Sequence, residues 1–204
     1  MRLEQNARSQ LRIVQSGIKV KSWVNQPPSC GAARPSSCVA CGAPSRVPGK
    51  ALVIVGHGLR ERGVEGPLVP GEEPVTLVIL ARRYACRACD AILVVLPRGV
   101  GRGTRYSLSA IAQGLALWGY ARWTAAKSRA ATSAARARGF AGPDQWSSLR
   151  RWTARATALF GAPAGTGTLR ERSAKIAAWL ASRAPLAIGV VPTDAFFGAP
   201  FVRP

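Results

Sequence analysis

Acidic residues are scarce in this sequence: nine Asp and Glu stand against 29 Lys and Arg in 204 residues, leaving a formal charge of +20. An acidic surface is thereby excluded, and a polyanion becomes the natural partner. Histidine occurs once, at His57, with no suitably placed partner in the sequence, so no nucleophile has a paired base. Long apolar runs are missing too. The longest, Val75 to Ala81 and Ala91 to Leu96, are strand-sized, well short of the roughly 20 residues of a membrane span. The N-terminus offers Arg2 and Glu4 but no apolar signal region, so a cytoplasmic location is expected. No stretch joins a Lys-rich face to a bulky apolar one, which places membrane-surface binding behind nucleic acid.

What is present supports a folded chain. The apolar fraction of 48% is ordinary for a globular protein, and the length suits one modest domain or two small ones. Residues 1–97 carry 13 basic and 6 acidic side chains, and residues 98–204 carry 16 and 3, so the basic excess is steeper in the second part. The richness in Ala, Gly, Pro and Arg, with only five Lys, is also what a GC-rich coding sequence writes onto an indifferent surface. The depletion of acids is harder to explain that way, because Asp and Glu codons tolerate GC richness.

Four of the five cysteines form two pairs, Cys38-x-x-Cys41 and Cys86-x-x-Cys89. A C-x-x-C turn sets two thiolates on one side of a tight knuckle, and two knuckles complete the tetrahedral S4 shell of a structural zinc site. Gly42 and Asp90 follow the second cysteine of each pair, where the chain must turn sharply, often at positive φ. Arg82, Arg83 and Arg87 flank the second pair and would offset the charge of a four-thiolate site. A redox pair would need a C-x-x-C ahead of a helix in a βαβ unit, and a disulfide frame would need a secretory leader. The 44 residues between Cys41 and Cys86 exceed the usual ribbon spacing. They read as an enlarged hairpin, with strands over 51–56 and 75–81 and a third strand over 91–96. Cys30 reads as a free thiol. His57 is open to ligation, phosphate contact or a plain turn, ligation being the least favoured.

Two basic segments follow. Arg60 and Arg62 lie in the hairpin and suit either a DNA contact or a solvated edge. Arg98, Arg102 and Arg105 lie in a Gly-rich stretch, 97–105, that reads as a basic arm along a phosphate backbone or as a flexible linker. It is not a P-loop. From Ser107, a good N-cap, the period becomes helical: Leu108, Ile111, Leu115 and Trp118 form one stripe, and a second helix is expected over 124–137. A third is expected from an Asp144 cap, with Trp146, Leu149, Trp152, Ala156 and Leu159 inward and Arg150, Arg151 and Arg155 outward. Three short helices ending in an arginine-bearing one match the outline of a helix-turn-helix and also that of a generic basic bundle. The spacing of Trp118, Trp123, Trp146 and Trp152 assigns them to a core rather than to a stacking platform. A fourth helix over 169–184 is expected to pack or to form a homodimer contact, and the tail over 185–204 to lie extended.

The segments Cys38-x-x-Cys41-Gly42, Gly56-His57-Gly58-Leu59-Arg60-Glu61-Arg62, Arg82-Arg83-Tyr84-x-Cys86-Arg87-x-Cys89, Pro97-Arg98-Gly99-Val100 and Arg105-Tyr106-Ser107 together resemble the zinc-ribbon and helix-turn-helix front end of bacterial insertion-sequence transposases. They resemble still more a group of short bacterial proteins that have that front end alone. The resemblance covers about Cys30 to Arg155 and implies binding to the terminal repeats of a mobile element. The cutting domain of such transposases uses three carboxylates and divalent metal, and no acid behind Asp90 follows an apolar strand that would present one.

The expected fold class is therefore α+β: an N-terminal helix or arm over 1–29, a zinc ribbon with a small antiparallel sheet over 30–97, a basic linker over 98–106, a helix-turn-helix domain over 107–160, and a C-terminal helix with a tail over 161–204. The expected function is zinc-dependent binding of duplex DNA without catalysis, through Arg60, Arg62, Arg98, Arg102, Arg105, Arg150, Arg151 and Arg155, with structural Zn2+ on Cys38, Cys41, Cys86 and Cys89. The alternatives are an RNA-binding zinc ribbon, a partial transposase that still cuts DNA, and a zinc-stapled protein adaptor.

Overall fold

The computed structural model describes residues 11–134 and 146–202. It is a mixed α+β structure, with one four-stranded sheet and seven α-helices among the described residues. The chain divides into two compact units, Met1–Gly63 with Val78–Arg98, and Val64–Leu77 with Gly99–Pro204.

The strands are β1 (Leu11–Lys19), β2 (Ile54–Gly66), β3 (Val75–Cys86) and β4 (Ile92–Arg98), in the order β1-β4-β3-β2, and all but Val64–Gly66 of β2 and Val75–Leu77 of β3 belong to the first unit. A short helix α1 (Val20–Asn25) follows β1. The central position of β4 explains its unbroken apolar run, since Leu93, Val94, Val95 and Leu96 are all buried. Against β3 it runs antiparallel, with Arg82 opposite Val95 and Ala85 opposite Ile92. Against β1 it runs parallel, Leu11 opposite Ile92 and Gln15 opposite Leu96. The sheet is thus mixed, which corrects the expected antiparallel one, and residues 11–19 form a strand within what was expected to be a helix or arm. Local sequence gives this strand little signal: Gly17 and polar Gln15 and Ser16 interrupt the apolar pattern, and its partner lies some 80 positions along the chain.

The segment after α1 is tied to β3. The Arg82 Nε donates to the Pro28 carbonyl at 2.8 Å and the fully buried Tyr84 hydroxyl to that of Cys30 at 2.8 Å. Burial pushes the Tyr84 phenol up to about 12. Trp23, also fully buried, donates its indole N–H to the Leu80 carbonyl at 2.9 Å. Strand β2 runs on past the expected 51–56 to Gly66, so the hairpin segment that carries Arg60 and Arg62 is itself strand.

In the second unit, helix α2 (Leu108–Leu115) is central, every one of its residues being buried. Ser107 caps it as expected, its hydroxyl accepting from the Ala110 N–H at 3.0 Å. A π-helical turn, Ala116–Tyr120, continues it, and α3 (Ala125–Ala130) follows behind a Thr124 cap. Gly119 sits in the π turn. A Cβ there would come within 2.5 Å of the Ala174 backbone nitrogen, so glycine is what lets the next long helix approach. Helices α4 (Ser147–Ala154) and α5 (Ala156–Phe160) replace the single expected third helix, the break falling at Arg155. The expected Asp144 cap lies outside the described residues, and the helix expected over 124–137 is cut short: α3 ends at Ala130 and residues 131–134 leave the helix.

Helix α6 (Leu169–Ala181) carries a capping box: the Thr168 hydroxyl accepts from the Glu171 N–H and the Glu171 carboxylate from the Thr168 N–H. Its Ser173, Ile176, Ala177 and Leu180 face is buried against the π turn and α7 of the same chain. The tail is not extended. It forms α7 (Val191–Gly198) and a 3-10 turn, Ala199–Phe201, with Ala195 and Phe196 buried. Asp194 shapes the entry by accepting from the Ile188 and Gly189 N–H groups at 2.9 and 3.0 Å.

Candidate metal centre and basic surface

Two turns with the same hydrogen-bond pattern carry the cysteines. In the first, the Cys38 N–H donates to the Ala43 carbonyl at 2.8 Å and the Gly42 N–H to the Cys38 carbonyl at 2.8 Å. In the second, between β3 and β4, the Cys86 N–H donates to the Ala91 carbonyl at 3.0 Å and the Asp90 N–H to the Cys86 carbonyl at 2.8 Å. Both reverse at a positive φ, +76° at Gly42 and +58° at Asp90. Aspartate tolerates the left-handed region better than most side chains.

The turns bring Cys38, Cys41, Cys86 and Cys89 together, all four sulfurs lying within 4.8 Å of one another. Cys38 lies 3.8 Å from Cys89 and Cys41 lies 3.8 Å from Cys86, sulfur to sulfur. A tetrahedron of thiolates at about 2.3 Å from a central zinc has edges of about 3.8 Å. The donor set and its spacing therefore fit a tetrahedral ion that prefers sulfur. All five cysteines are free thiols. Cys38 and Cys86 are buried, Cys89 is half-buried and Cys41 is exposed.

Crowding sets the thiols apart. Burial pushes Cys38 up, but the Ala40 and Cys41 N–H groups and the neighbouring thiols outweigh it and bring it down to about 7. Burial raises Cys86. The Ala91 N–H favours the Cys89 thiolate, yet the Cys41 thiol, burial and the other two sulfurs carry it up to about 12. Four sulfurs at this spacing do not all ionise unaided, and a divalent cation is what makes four thiolates compatible.

Cys30 is not in the cluster. Its sulfur lies 3.9 Å from an Arg34 guanidinium nitrogen. His57 is exposed on β2 and also lies apart from the four sulfurs.

The eight arginines expected to contact DNA divide between the units. Arg60 is exposed on β2. Arg62, two residues on, is half-buried, and burial, then the charge of Arg60, lowers its pKa. Arg98 ends β4, opposite Lys19. In the second unit the stretch expected to be a flexible arm is folded. Val100 is fully buried and bridges Ser107. Arg102 and Arg105 stay exposed on this loop, and the Arg155 guanidinium reaches beside Gly103. Arg150 and Arg151 are exposed on α4.

One carboxylate in the second unit was not singled out by its sequence context. Glu65 is 1% exposed, accepts from the Ser133 hydroxyl at 2.8 Å and pairs with the Arg105 Nε at 3.1 Å. Ser133 in turn shares a hydrogen bond of 3.0 Å with the Tyr106 hydroxyl. Placed in a Gly-rich stretch with alternating charge, Glu65 reads as solvated, and only the tertiary fold reveals its burial.

No protein-family model, curated protein or solved structure matches the chain.

Proposed function

We propose that this chain is a zinc-stapled DNA-binding protein with no catalysis of its own, of the kind used to hold the ends of mobile elements. The observation that carries the reading is the sulfur tetrahedron formed by Cys38, Cys41, Cys86 and Cys89, within a chain of formal charge +20. A structural zinc would pin residues 38–41 to the β3–β4 turn and so fix the sheet that presents Arg60 and Arg62. Arg102, Arg105 and Arg155 supply a second group of cations, and Arg150 and Arg151 lie one helix turn before Arg155. Guanidinium suits this task because its planar fork grips phosphate oxygens or the O6 and N7 of guanine.

The helix-turn-helix part of the reading rests on α2, α3 and α4 and on the arginines of α4. The described residues contain no turn of three or four residues joining α3 to the next helix: α3 ends at Ala130 and α4 begins at Ser147. Duplex contact by α4 is therefore proposed from its exposed arginines rather than from a tight turn.

The test is a titration of labelled duplex with zinc-loaded protein over a salt series. A protein that neutralises several phosphates loses affinity linearly in log salt, with a slope of about −0.9 per phosphate. A slope near zero would overturn the reading in favour of a protein-binding adaptor. Cleavage of the labelled strand in the presence of Mg2+ would replace it with a partial transposase.

A further inference from the structure

The second unit contains a groove of about 650 Å³ whose walls include Trp118, Trp146, Leu169, Arg150 and Arg170. Its size is that of a small-ligand site. Both indoles are half-buried. Trp146 is held edge-on to Trp152, ring centroids 4.8 Å apart at 81°, and Trp152 is held in the same way by Tyr106 at 4.9 Å. The indole is thus a fixed wall. Arg170 is equally fixed: its Nε donates to the Trp118 carbonyl at 3.0 Å and a terminal nitrogen to that of Trp123 at 2.6 Å. Its guanidinium stands 5.5 Å from the centre of the Trp118 ring. A guanidinium has five N–H donors, so Arg170 retains donors beyond these two bonds.

The charges lining this groove are two guanidiniums, with no carboxylate among the lining residues. An aliphatic ligand would leave both cations unused, and an inorganic anion would leave both indoles unused. The combination of aromatic walls with two cations matches a planar base joined to a phosphate. We propose that this groove holds one unpaired nucleotide, its base against the indole of Trp146 and its phosphate on Arg150 and Arg170. The inference deepens the DNA-binding reading and rests on it for the source of the nucleotide, which is a strand end or an extruded base rather than paired duplex. It extends the expectation from helical spacing: Trp152 lies in the core at 7% exposure, and Trp118 and Trp146 pack against that core while presenting their remaining surface to the groove.

Full-length zinc-loaded protein is titrated with a labelled single-stranded hexanucleotide, with the same hexanucleotide carrying abasic sugars, with free dAMP and with a blunt duplex. Tryptophan fluorescence and anisotropy are read together. Base stacking predicts that the intact strand quenches tryptophan fluorescence and binds about 5- to 150-fold more tightly than the abasic strand. Trp146→Leu, checked for folding by circular dichroism, removes the quench and the preference for bases while leaving duplex affinity in place. Quenching by dAMP alone would identify a free nucleotide as the occupant of the same groove. Equal binding of intact and abasic strands, or binding of neither strand nor dAMP, would overturn the proposal, because the abasic comparison needs no change in the protein. Loss of duplex binding with nucleotide binding retained would instead count against the DNA-binding function alone.

Discussion

Cys41 is exposed and Cys38 and Cys86 are buried, yet a tetrahedral ion needs all four sulfurs equally. Exposure therefore does not predict which substitution hurts. Cys41→Ser should weaken zinc affinity more than about 100-fold, beyond what loss of an outer hydrogen-bonding partner costs a metal site. Cys30→Ser should leave zinc content unchanged, because Cys30 lies outside the cluster. Competition with a chromogenic chelator measures both. Glu65 gives a second prediction at this scale. Its buried carboxylate is paired with an Arg105 side chain that is 65% exposed, so solvent screens the ion pair and the hydrogen bond from Ser133 carries more of its worth. Glu65→Gln keeps the shape and one acceptor, and should lower stability by about 1–2 kcal/mol in urea unfolding. An unchanged midpoint would show the carboxylate to be dispensable.

Helix α6 and its cap supply predictions at the scale of elements. Thr168→Ala removes one half of the capping box and should cost about 1 kcal/mol. The other half titrates. The Thr168 N–H, then its hydroxyl, hold the Glu171 carboxyl below its ordinary value. Its contribution is therefore complete above the usual carboxylate range, and is lost as pH falls through the lowered folded value. Thermal melts of wild type and Glu171→Gln should differ at pH 7 and converge in strong acid; a constant difference would argue against the cap. Gly119→Ala should destabilise by about 1–3 kcal/mol, because the added methyl meets the α6 backbone and overpacking moves whole helices. The elements also show what the sequence makes legible. Ser107, the stripe from Leu108 to Leu115 and both cysteine knuckles were readable because their signals are local: a cap, a 3.6-residue period, a turn at fixed spacing. Strand β1 was not, since its partner is far along the chain. Nor was the fold of residues 99–106, where burial of Val100 and the bridge to Ser107 decide against the Gly-rich composition. The tail reads as extended because Pro and Gly punctuate it, yet Pro192 sits in the first turn of α7, where its missing N–H costs nothing.

Across the whole molecule, the metal cluster lies in the first unit and the groove and most of the expected phosphate-contacting arginines in the second. The proposed function thus has two separable parts. Zinc should stabilise the first unit directly, since removing a structural ion removes its binding energy from folding. Arginines of both units should add to the salt dependence: replacing Arg60 and Arg62 together, or Arg102 and Arg155 together, should reduce the slope by about one per lost phosphate contact. The first pair lies in a sheet clamped by the cysteines and the second does not, so removal of zinc should affect the contribution of Arg60 and Arg62 more.

The most direct test is therefore duplex binding by anisotropy, at two salt concentrations, for one preparation with its zinc retained and the same preparation stripped by a chelator, with bound metal quantified in each. The proposed function predicts about one zinc per chain in the first, and in the second a tenfold or greater loss of affinity with a shallower salt dependence. A stripped protein that keeps its circular dichroism spectrum, its affinity and its salt slope would contradict it.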